Sequence, residues 1–404
     1  MTINDISLHN NDFTTINQFL SPFQNIDSRL TREIFVDFEI SSRKHITKRT
    51  PILKFAKPED SELISKLYKE VYKGSYPYKE NEDISALKDM IESEKYEFII
   101  IKDNRHNSVG SFKFILDFDK KRGYMGGFML KKEYRGHIDM VKALMGSVIS
   151  MWSRYNDRIL LWYIENRTAH TKSQFMSSMC GIKPVAFFPN KDIFFNKTES
   201  DIMHIIYDEK ALRKHRTGKV PQIIETVKKI FDYSNRRYNL IEPEIVTSKY
   251  NLDTKKIANL REKLNINIVD GKFGYKKISF SFQDSHSFFS FLYTASVQNF
   301  EKTEYNVDNL EELYVFIKEF ERLAKYYDVQ YCEVFVSAYK PHHQRMFFTN
   351  GFEPRGYIPS WDYNKNTGKF EDNIVFNKYD GIIDKNIKIL SEGLELLETL
   401  SETV

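Results

Sequence analysis

The stretch Lys132-Glu133-Tyr134-Arg135-Gly136-His137-Ile138-Asp139-Met140 stands directly ahead of a run of apolar residues at helical spacing. Backbone N–H groups at a helix N-terminus can hold an anion, because the helix dipole favours negative charge and glycine lets the backbone approach closely. The same residues also read as a plain helix start behind a Tyr-Arg-Gly turn. Gly74-Ser75-Tyr76-Pro77-Tyr78 sets two tyrosines in a break between helical runs, either as pocket walls or as an ordinary aromatic turn. The basic run Arg43, Lys44, His45, Lys48 and Arg49 is an anion site or, more simply, a solvated lead-in. His342 and His343 are adjacent, diverge on a helix and have no Cys or acidic pair to complete a ligand set, so no metal is expected. Cys180 and Cys332 cannot build a disulfide framework or a structural zinc site, and read as reduced, buried thiols.

The elements that must position these residues follow from the apolar pattern. Residues 1–50 are polar, with one candidate strand from Ile34 to Ile40. Ile52–Ala56 reads as a strand, and Pro58-Glu59-Asp60 opens a helix with Leu63, Ile64, Leu67, Tyr68 and Val71 on one face. A second helix runs through Ile84, Leu87, Met90 and Ile91, followed by strands Tyr96–Ile101, Val109–Leu116 and Gly123–Leu130. A long helix is expected from about Gly136 to Arg154, then strand Ile159–Ile164, helix Ala169–Met179 stopped by Gly181, and strands Val185–Phe188 and Ile202–Tyr207. The order β-α-α-β-β-β-α-β-α-β-β is an α/β domain with a mixed sheet. Lys210–Lys219 reads as a basic linker. Helices are then expected near Ile223–Phe231 and Lys255–Leu264, and strands at Lys276–Phe282, Phe288–Thr294 and Val297–Tyr305. Helix Leu310–Tyr326, strand Tyr331–Val336, helix Pro341–Asn350 and strands Pro354–Pro359 and Asn373–Asn377 follow, with Ile382–Leu400 as one amphipathic helix packed on the body.

Composition bounds the function. The chain has 404 residues, and 60 Lys+Arg against 56 Asp+Glu give a formal charge of +4, which makes no electrostatic case for nucleic acid or a membrane surface. Hydrophobic residues at 41% and aromatics at 15% exclude an intrinsically disordered chain. The N-terminal residues lack a basic start and apolar run, and no stretch approaches a spanning length, so a soluble, cytoplasmic protein is expected.

The C-terminal half repeats the end of the first domain. Gln174, Gly181, Pro184, Pro189 and Asp192 align with Gln344, Gly351, Pro354, Pro359 and Asp362 at a constant offset of 170. Matching Gly and Pro positions require matching backbone turns, which argues for two copies of one fold.

The element order and this punctuation resemble the GCN5-related N-acetyltransferase (GNAT) superfamily, well over 51–210 and more loosely over 245–385. The resemblance implies five segments: an N-terminal extension (1–50), a GNAT-like N-acyltransferase domain (51–210), a basic helical linker (211–244), a second, degenerate GNAT-like domain (245–385) and a C-terminal helix (386–404). Each domain would be a twisted mixed β-sheet flanked by helices. It implies acetyl-CoA as cosubstrate, no metal, and an N-acetyltransferase acting on a small-molecule or peptide amine. Arg135, Gly136, His137, Ile138, Asp139 and Met140 would form the pyrophosphate loop, with Ile138 and Met140 where the family has small residues and Asp139 adding a negative charge. Backbone groups of Met129 and Leu130 would hold the pantetheine arm, with His170, Ser173 and Gln174 lining it. Glu165 would be the base, Tyr163 an acid, and Ser177 stands where the family's usual acid is a tyrosine. Tyr76 and Tyr78 would wall the acceptor pocket. The second copy has Asn306-Val307-Asp308-Asn309 in place of the loop and is expected to be non-catalytic. The alternative is a binding or scaffold protein on the same fold, with both copies inactive.

Overall fold

The structure, a computed structural model, describes residues 3–6, 13–21, 33–35, 38–40, 48–247, 249–384 and 386–401. In chain order, β1 (Ile3–Ile6), α1 (Ile16–Leu20), β2 (Glu33–Phe35) and β3 (Phe38–Ile40) come first. The strand expected over Ile34–Ile40 is thus β2 and β3, with residues 36–37 outside the described residues, as are Arg43, Lys44 and His45 of the basic run.

The first half comprises β4 (Ile52–Phe55), α2 (Ser61–Tyr72), α3 (Ile84–Glu92), β5 (Tyr96–Lys102), β6 (Ser108–Asp117) and β7 (Arg122–Leu130). It continues with α4 (Met140–Tyr155), β8 (Leu161–Arg167), α5 (Lys172–Met179), β9 (Lys183–Phe194) and β10 (Lys197–Tyr207). This is the element order read from the sequence. α4 lays Val141, Leu144, Met145 and Val148 against Ile99, Phe112, Phe114 and Trp162 on one face of the sheet. α2 lays Ile64, Leu67 and Tyr68 against Phe98, Ile100 and Met129 on the other. α4 starts four residues later than expected. Asp139 caps it by accepting from the amides of Val141 and Lys142, and Gly136, at φ 86, belongs to the preceding turn.

Between the halves lie α6 (Glu209–Leu212), β11 (Gln222–Ile223), α7 (Lys228–Tyr238), β12 (Glu244–Ile245) and α8 (Thr254–Lys263). The expected basic linker is not merely solvated, because Arg216 is buried in a two-pronged pair with Asp372 at 2.9 and 2.5 Å. The second half comprises β13 (Leu264–Asp270), β14 (Lys276–Phe282), β15 (Phe288–Thr294), β16 (Asn299–Asn306), α9 (Leu310–Tyr326), β17 (Tyr331–Ser337), α10 (Pro341–Thr349), β18 (Glu353–Asn364) and β19 (Lys369–Tyr379). β13 escaped the sequence reading because most of its side chains are exposed at the sheet's edge, so burial imposes no alternation on them. The tail is helical only over α11 (Ser391–Ser401), with Leu396 and Leu400 buried on the body.

Both halves share one 15-stranded sheet, in the order β13-β14-β15-β16-β17-β19-β18-β9-β10-β8-β7-β6-β5-β4-β2. From β13 inward and from β4 inward the order is the same, and the two series meet antiparallel at β9 and β18. The pair that joins them is Ala186 with Gly356, whose numbers differ by the repeat offset of 170, as a local two-fold axis through this point requires. A Cβ on Gly356 would lie 2.3 Å from the Ala186 Cβ and 2.5 Å from the Val185 carbonyl, so only glycine permits this approach. One apolar core runs across the junction, from Val185 and Phe187 to Tyr357 and Ile358.

The trailing segments are exchanged. Gln174 in the first half donates to the Lys388 carbonyl (2.8 Å) and accepts from the Leu390 amide (3.2 Å), pinning the segment ahead of α11, which packs on β9. Gln344 in the second half donates to the Gln222 carbonyl (2.9 Å) and accepts from the Ile224 amide (3.1 Å), pinning the segment ahead of α7, which packs on β18. The matched glutamines of the repeat are therefore clamps on the other half's arm.

Candidate functional site

Strands β7 and β8 pair in parallel only from Arg122 with Leu161 to Met125 with Ile164, although β7 continues to Leu130 and β8 to Arg167. The strands part at Gly126-Gly127, where β7 bulges against β6. Gly127 has φ +60, and a Cβ there would meet the Tyr68 hydroxyl at 2.2 Å. The parting leaves Glu165 and Arg167 without a partner strand on that side. Side chains at 163, 165 and 167 share one face of β8, the face opposite α4.

On that face lies a cluster of tyrosines. Tyr68, Tyr72 and Tyr76 cluster, with Tyr76 at 4.8 and 4.6 Å from the other two ring centres, and Tyr78 sits 5.9 Å from Tyr76. Tyr124 packs on Tyr163 at 5.1 Å. Glu165 is deep, yet 16% of its side-chain surface reaches solvent, and Tyr78, Tyr124 and Tyr163 are likewise only half-buried. Lys191, 2% exposed, stands 3.0 Å from both Glu165 and Glu333 of the second half, and the Tyr331 hydroxyl donates to Glu333 at 3.0 Å. Burial pushes the Glu165 carboxyl up to about 7 even though Lys191 opposes the shift. Burial alone would discharge Lys191, but Glu165 and Glu333 hold it well above its ordinary value. Burial also pushes Tyr163 up to about 12, which keeps it protonated near neutrality.

The positions also map through the 170 offset. Lys191 corresponds to Trp361, and Tyr163 to Glu333. Lys191 meets Glu333 across the junction, and Trp361 meets Tyr163 across it at 5.0 Å between rings. One pair of equivalent contacts is ionic and the other aromatic, so the halves differ in chemistry where they touch.

Other expected residues are held elsewhere. Ser177 is buried on the α4 side of the sheet, where the Asn166 amide donates to it at 3.0 Å, and it does not meet Glu165 or Tyr163. Gln174 is the clamp described above; His170 is exposed and Ser173 is half-buried. Met129 pairs with Ser111 and Leu130 with Gly110, on the β6 side. The Phe128 carbonyl accepts from Tyr72 (3.3 Å) and the Leu130 carbonyl from Arg135 Nε (3.4 Å).

The loop ahead of α4 does not present an anion nest. The amides of His137 and Ile138 donate to the Tyr134 carbonyl, that of Asp139 to the Arg49 carbonyl, and those of Val141 and Lys142 to the Asp139 carboxylate. Ile138 is buried in the core, Met140 packs against it, and Arg135, Gly136 and His137 are exposed. A diphosphate would meet a carboxylate where it needs amides, so the loop as folded does not fit the CoA diphosphate. An Asp immediately ahead of a helix is a strong N-cap signal, and that signal was present in the sequence.

The sequence reading missed Tyr72, Tyr124, Lys191, Asp192, Asp201, Glu301 and Glu333. The charged ones carry only the signal of a charge beside or within an apolar strand, and Tyr72 and Tyr124 only that of an aromatic at a helix end and in a strand.

Comparison with known proteins returned no match to a family model and none to a curated protein. Among solved structures the chain is similar to a chimeric spermidine N-acetyltransferase SpeG from Vibrio cholerae, at 15% identity and a TM-score of 0.34 over 40% of this chain and 98% of that one. It is similar to a ribosomal-protein-S5-alanine acetyltransferase from Vibrio fischeri, at 14% identity and 0.34 over 39% and 93%. It is also similar to the microcin C7 self-immunity acetyltransferase MccE in complex with acetyl-CoA and AMP, at 18% identity and 0.32 over 39% and 92%. The first half has the element order that the resemblance implied. Among the described residues, no helix is long and apolar enough to cross a membrane, and no group of three or more His, Cys, Asp or Glu is arranged to hold a metal ion.

Proposed function

We propose that the protein is an N-acyltransferase that takes an amine at the tyrosine cluster of its first half, beside Glu165, with an acyl-CoA as the acyl donor. The observation that carries this reading is Glu165 itself. It is a deep carboxylate at the open end of the parted strands, reaches solvent, stands 3.0 Å from Lys191, and is pushed by burial up to about 7. A base of that strength accepts a proton from an ammonium near neutral pH and leaves the amine nucleophilic. Lys191 fixes the Glu165 carboxylate, and Glu333 of the second half fixes Lys191. The second half thus supports the site of the first, and its own copy of the loop contributes no chemistry. We read the two halves as copies of one fold with domains at 51–210 and 245–385.

A second reading, an amine-binding protein without transfer, is favoured by one observation: the amides ahead of α4 are already engaged by Asp139, Tyr134 and Arg49. The two readings separate on acetyl-CoA alone. Under the first, millimolar acetyl-CoA raises Tm, and ligand at 100 times Kd adds about 2.7 kcal/mol. No rise at that concentration leaves the second.

A further inference from the structure

The sheet finishes differently at its two ends. Counted inward, β13 is the counterpart of β4. The outer side of β4 is covered by β2, with Glu33 opposite Lys54, Ile34 opposite Leu53 and Phe35 opposite Ile52. Among the described residues no strand lies outside β13. The first half also sets α2 and α3 between β4 and β5, whereas β13 turns into β14 through residues 271–275 alone.

An open edge is normally blunted by short length, Pro, Lys or a bulge. β13 has none of these. It runs for 7 residues, Leu-Asn-Ile-Asn-Ile-Val-Asp, and pairs with β14 from Leu264 with Phe282 to Asp270 with Lys276 without a shift in register. Its one charge, Asp270, is paired with Lys276. Ile266, Ile268 and Val269 are 36%, 41% and 53% exposed. Ile266 and Ile268 stand opposite Phe280 and Ile278, which are fully buried. The apolar layer that α9 covers, through Phe316 on Phe280, thus runs out to the edge and ends there in the open.

The backbone of this edge is oriented. The Gly271 amide donates to the Tyr275 carbonyl at 2.7 Å, and antiparallel pairs alternate between bonded and non-bonded. Val269, Asn267 and Asn265 therefore turn their amides and carbonyls toward β14. Leu264, Ile266, Ile268 and Asp270 turn theirs outward.

We propose that β13 is the docking edge for a second copy of this chain, antiparallel about a two-fold axis through Asn267. In that register all four outward residues find partners. Ile266 pairs with Ile268 of the second copy and Leu264 with Asp270, each twice. Asn267 meets Asn267, Asn265 meets Val269, and no like charges lie opposite each other. The four isoleucines form one apolar strip that continues both cores. The axis occupies both edges at once, so assembly closes at a dimer. The chain already joins its own halves edge to edge and antiparallel, at β9 and β18. This inference is independent of acyl transfer.

The test is sedimentation velocity of the full chain over a range of concentrations, which should show a dimer that dissociates on dilution. Ile268→Lys puts a charge on an exposed position, so the fold should stand while the dimer dissociation constant rises at least tenfold. Ile268→Pro is the second variant. It removes an amide that faces the second copy and none that faces β14, with the same expectation. Asn267→Cys reads the register. Opposite residues of a non-bonded pair lie about 4.5 Å apart between Cα atoms, within disulfide reach, so mild oxidation should link two copies. Asn265→Cys would meet Val269 and should not link. Cys180 and Cys332 are buried and do not compete. A chain monomeric at every concentration would overturn the proposal and leave the edge to a different partner. A dimer that survives both substitutions at Ile268, or linking through Asn265→Cys as readily as through Asn267→Cys, would equally overturn it.

Discussion

Glu165 and Asp139 decide between catalysis and binding, and each carries a prediction. Glu165→Gln should lower kcat by about 10²-fold or more while leaving amine affinity within a few fold, since a base contributes about 10²–10⁴. In the native protein kcat/KM should rise with pH to a plateau above about 7, because the base must be deprotonated, and this limb should vanish in the variant. Stability runs in the opposite sense. The folded pKa of about 7 lies above the ordinary 4.5, so the contribution is present below 4.5 and lost as pH rises through 7. Unfolding midpoints across that window should flatten in Glu165→Gln, and an unchanged slope would remove Glu165 as the titrating group. Asp139→Ala should act in two directions. Losing the cap on Val141 and Lys142 should cost about 1 kcal/mol. Freeing those amides should tighten acetyl-CoA binding, read by titration against the native protein. Weaker binding would show that Asp139 does not compete with the diphosphate.

At the scale of elements, the first half was legible because its signals are local. The apolar face of α4 and the run Ile159–Ile164 announce themselves within a few residues, and Gly181 marks its stop with φ +71. The buried acidic groups of the two halves were not legible. Asp192, Asp201, Glu301 and Glu333 lie on four strands from two halves, and no sequence spacing links them. The meaning of the repeat was half visible. The match of Gln174 with Gln344 was plain, but that each clamps the other half's arm depends on where the arms cross. The junction strands also carry a prediction. Gly356→Val places atoms against the Ala186 Cβ at 2.3 Å and the Val185 carbonyl at 2.5 Å, where backbone cannot yield cheaply. A loss of about 1–3 kcal/mol or more is expected from denaturant midpoints. A midpoint equal to the native protein's would mean that β9 and β18 do not meet there.

As a whole molecule, the protein is two half-sheets joined edge to edge, with each half's trailing helix laid on the other. The arrangement gives the second half a task without chemistry of its own. It buries the inner edge of the first sheet and brings Glu333 to Lys191, which in turn holds Glu165. Removing residues 386–404 should therefore damage the first half rather than the second, because Gln174 loses its partners and β9 loses its cover. Burial of Leu396 and Leu400 at about 1.5–3 kcal/mol each sets the scale of the loss. Hydrogen exchange should then quicken in β9 and α5 first. Unchanged protection there would refute the exchange of arms.

Transfer itself is the central claim, and product analysis tests it most directly. The native chain is incubated with acetyl-CoA and a pool of primary amines, and the amines are analysed by mass spectrometry beside a Glu165→Gln control. The account predicts an acetylated amine, formed catalytically by the native protein and strongly reduced in the control. No acetylated product from any amine of the pool at any acetyl-CoA concentration would contradict it.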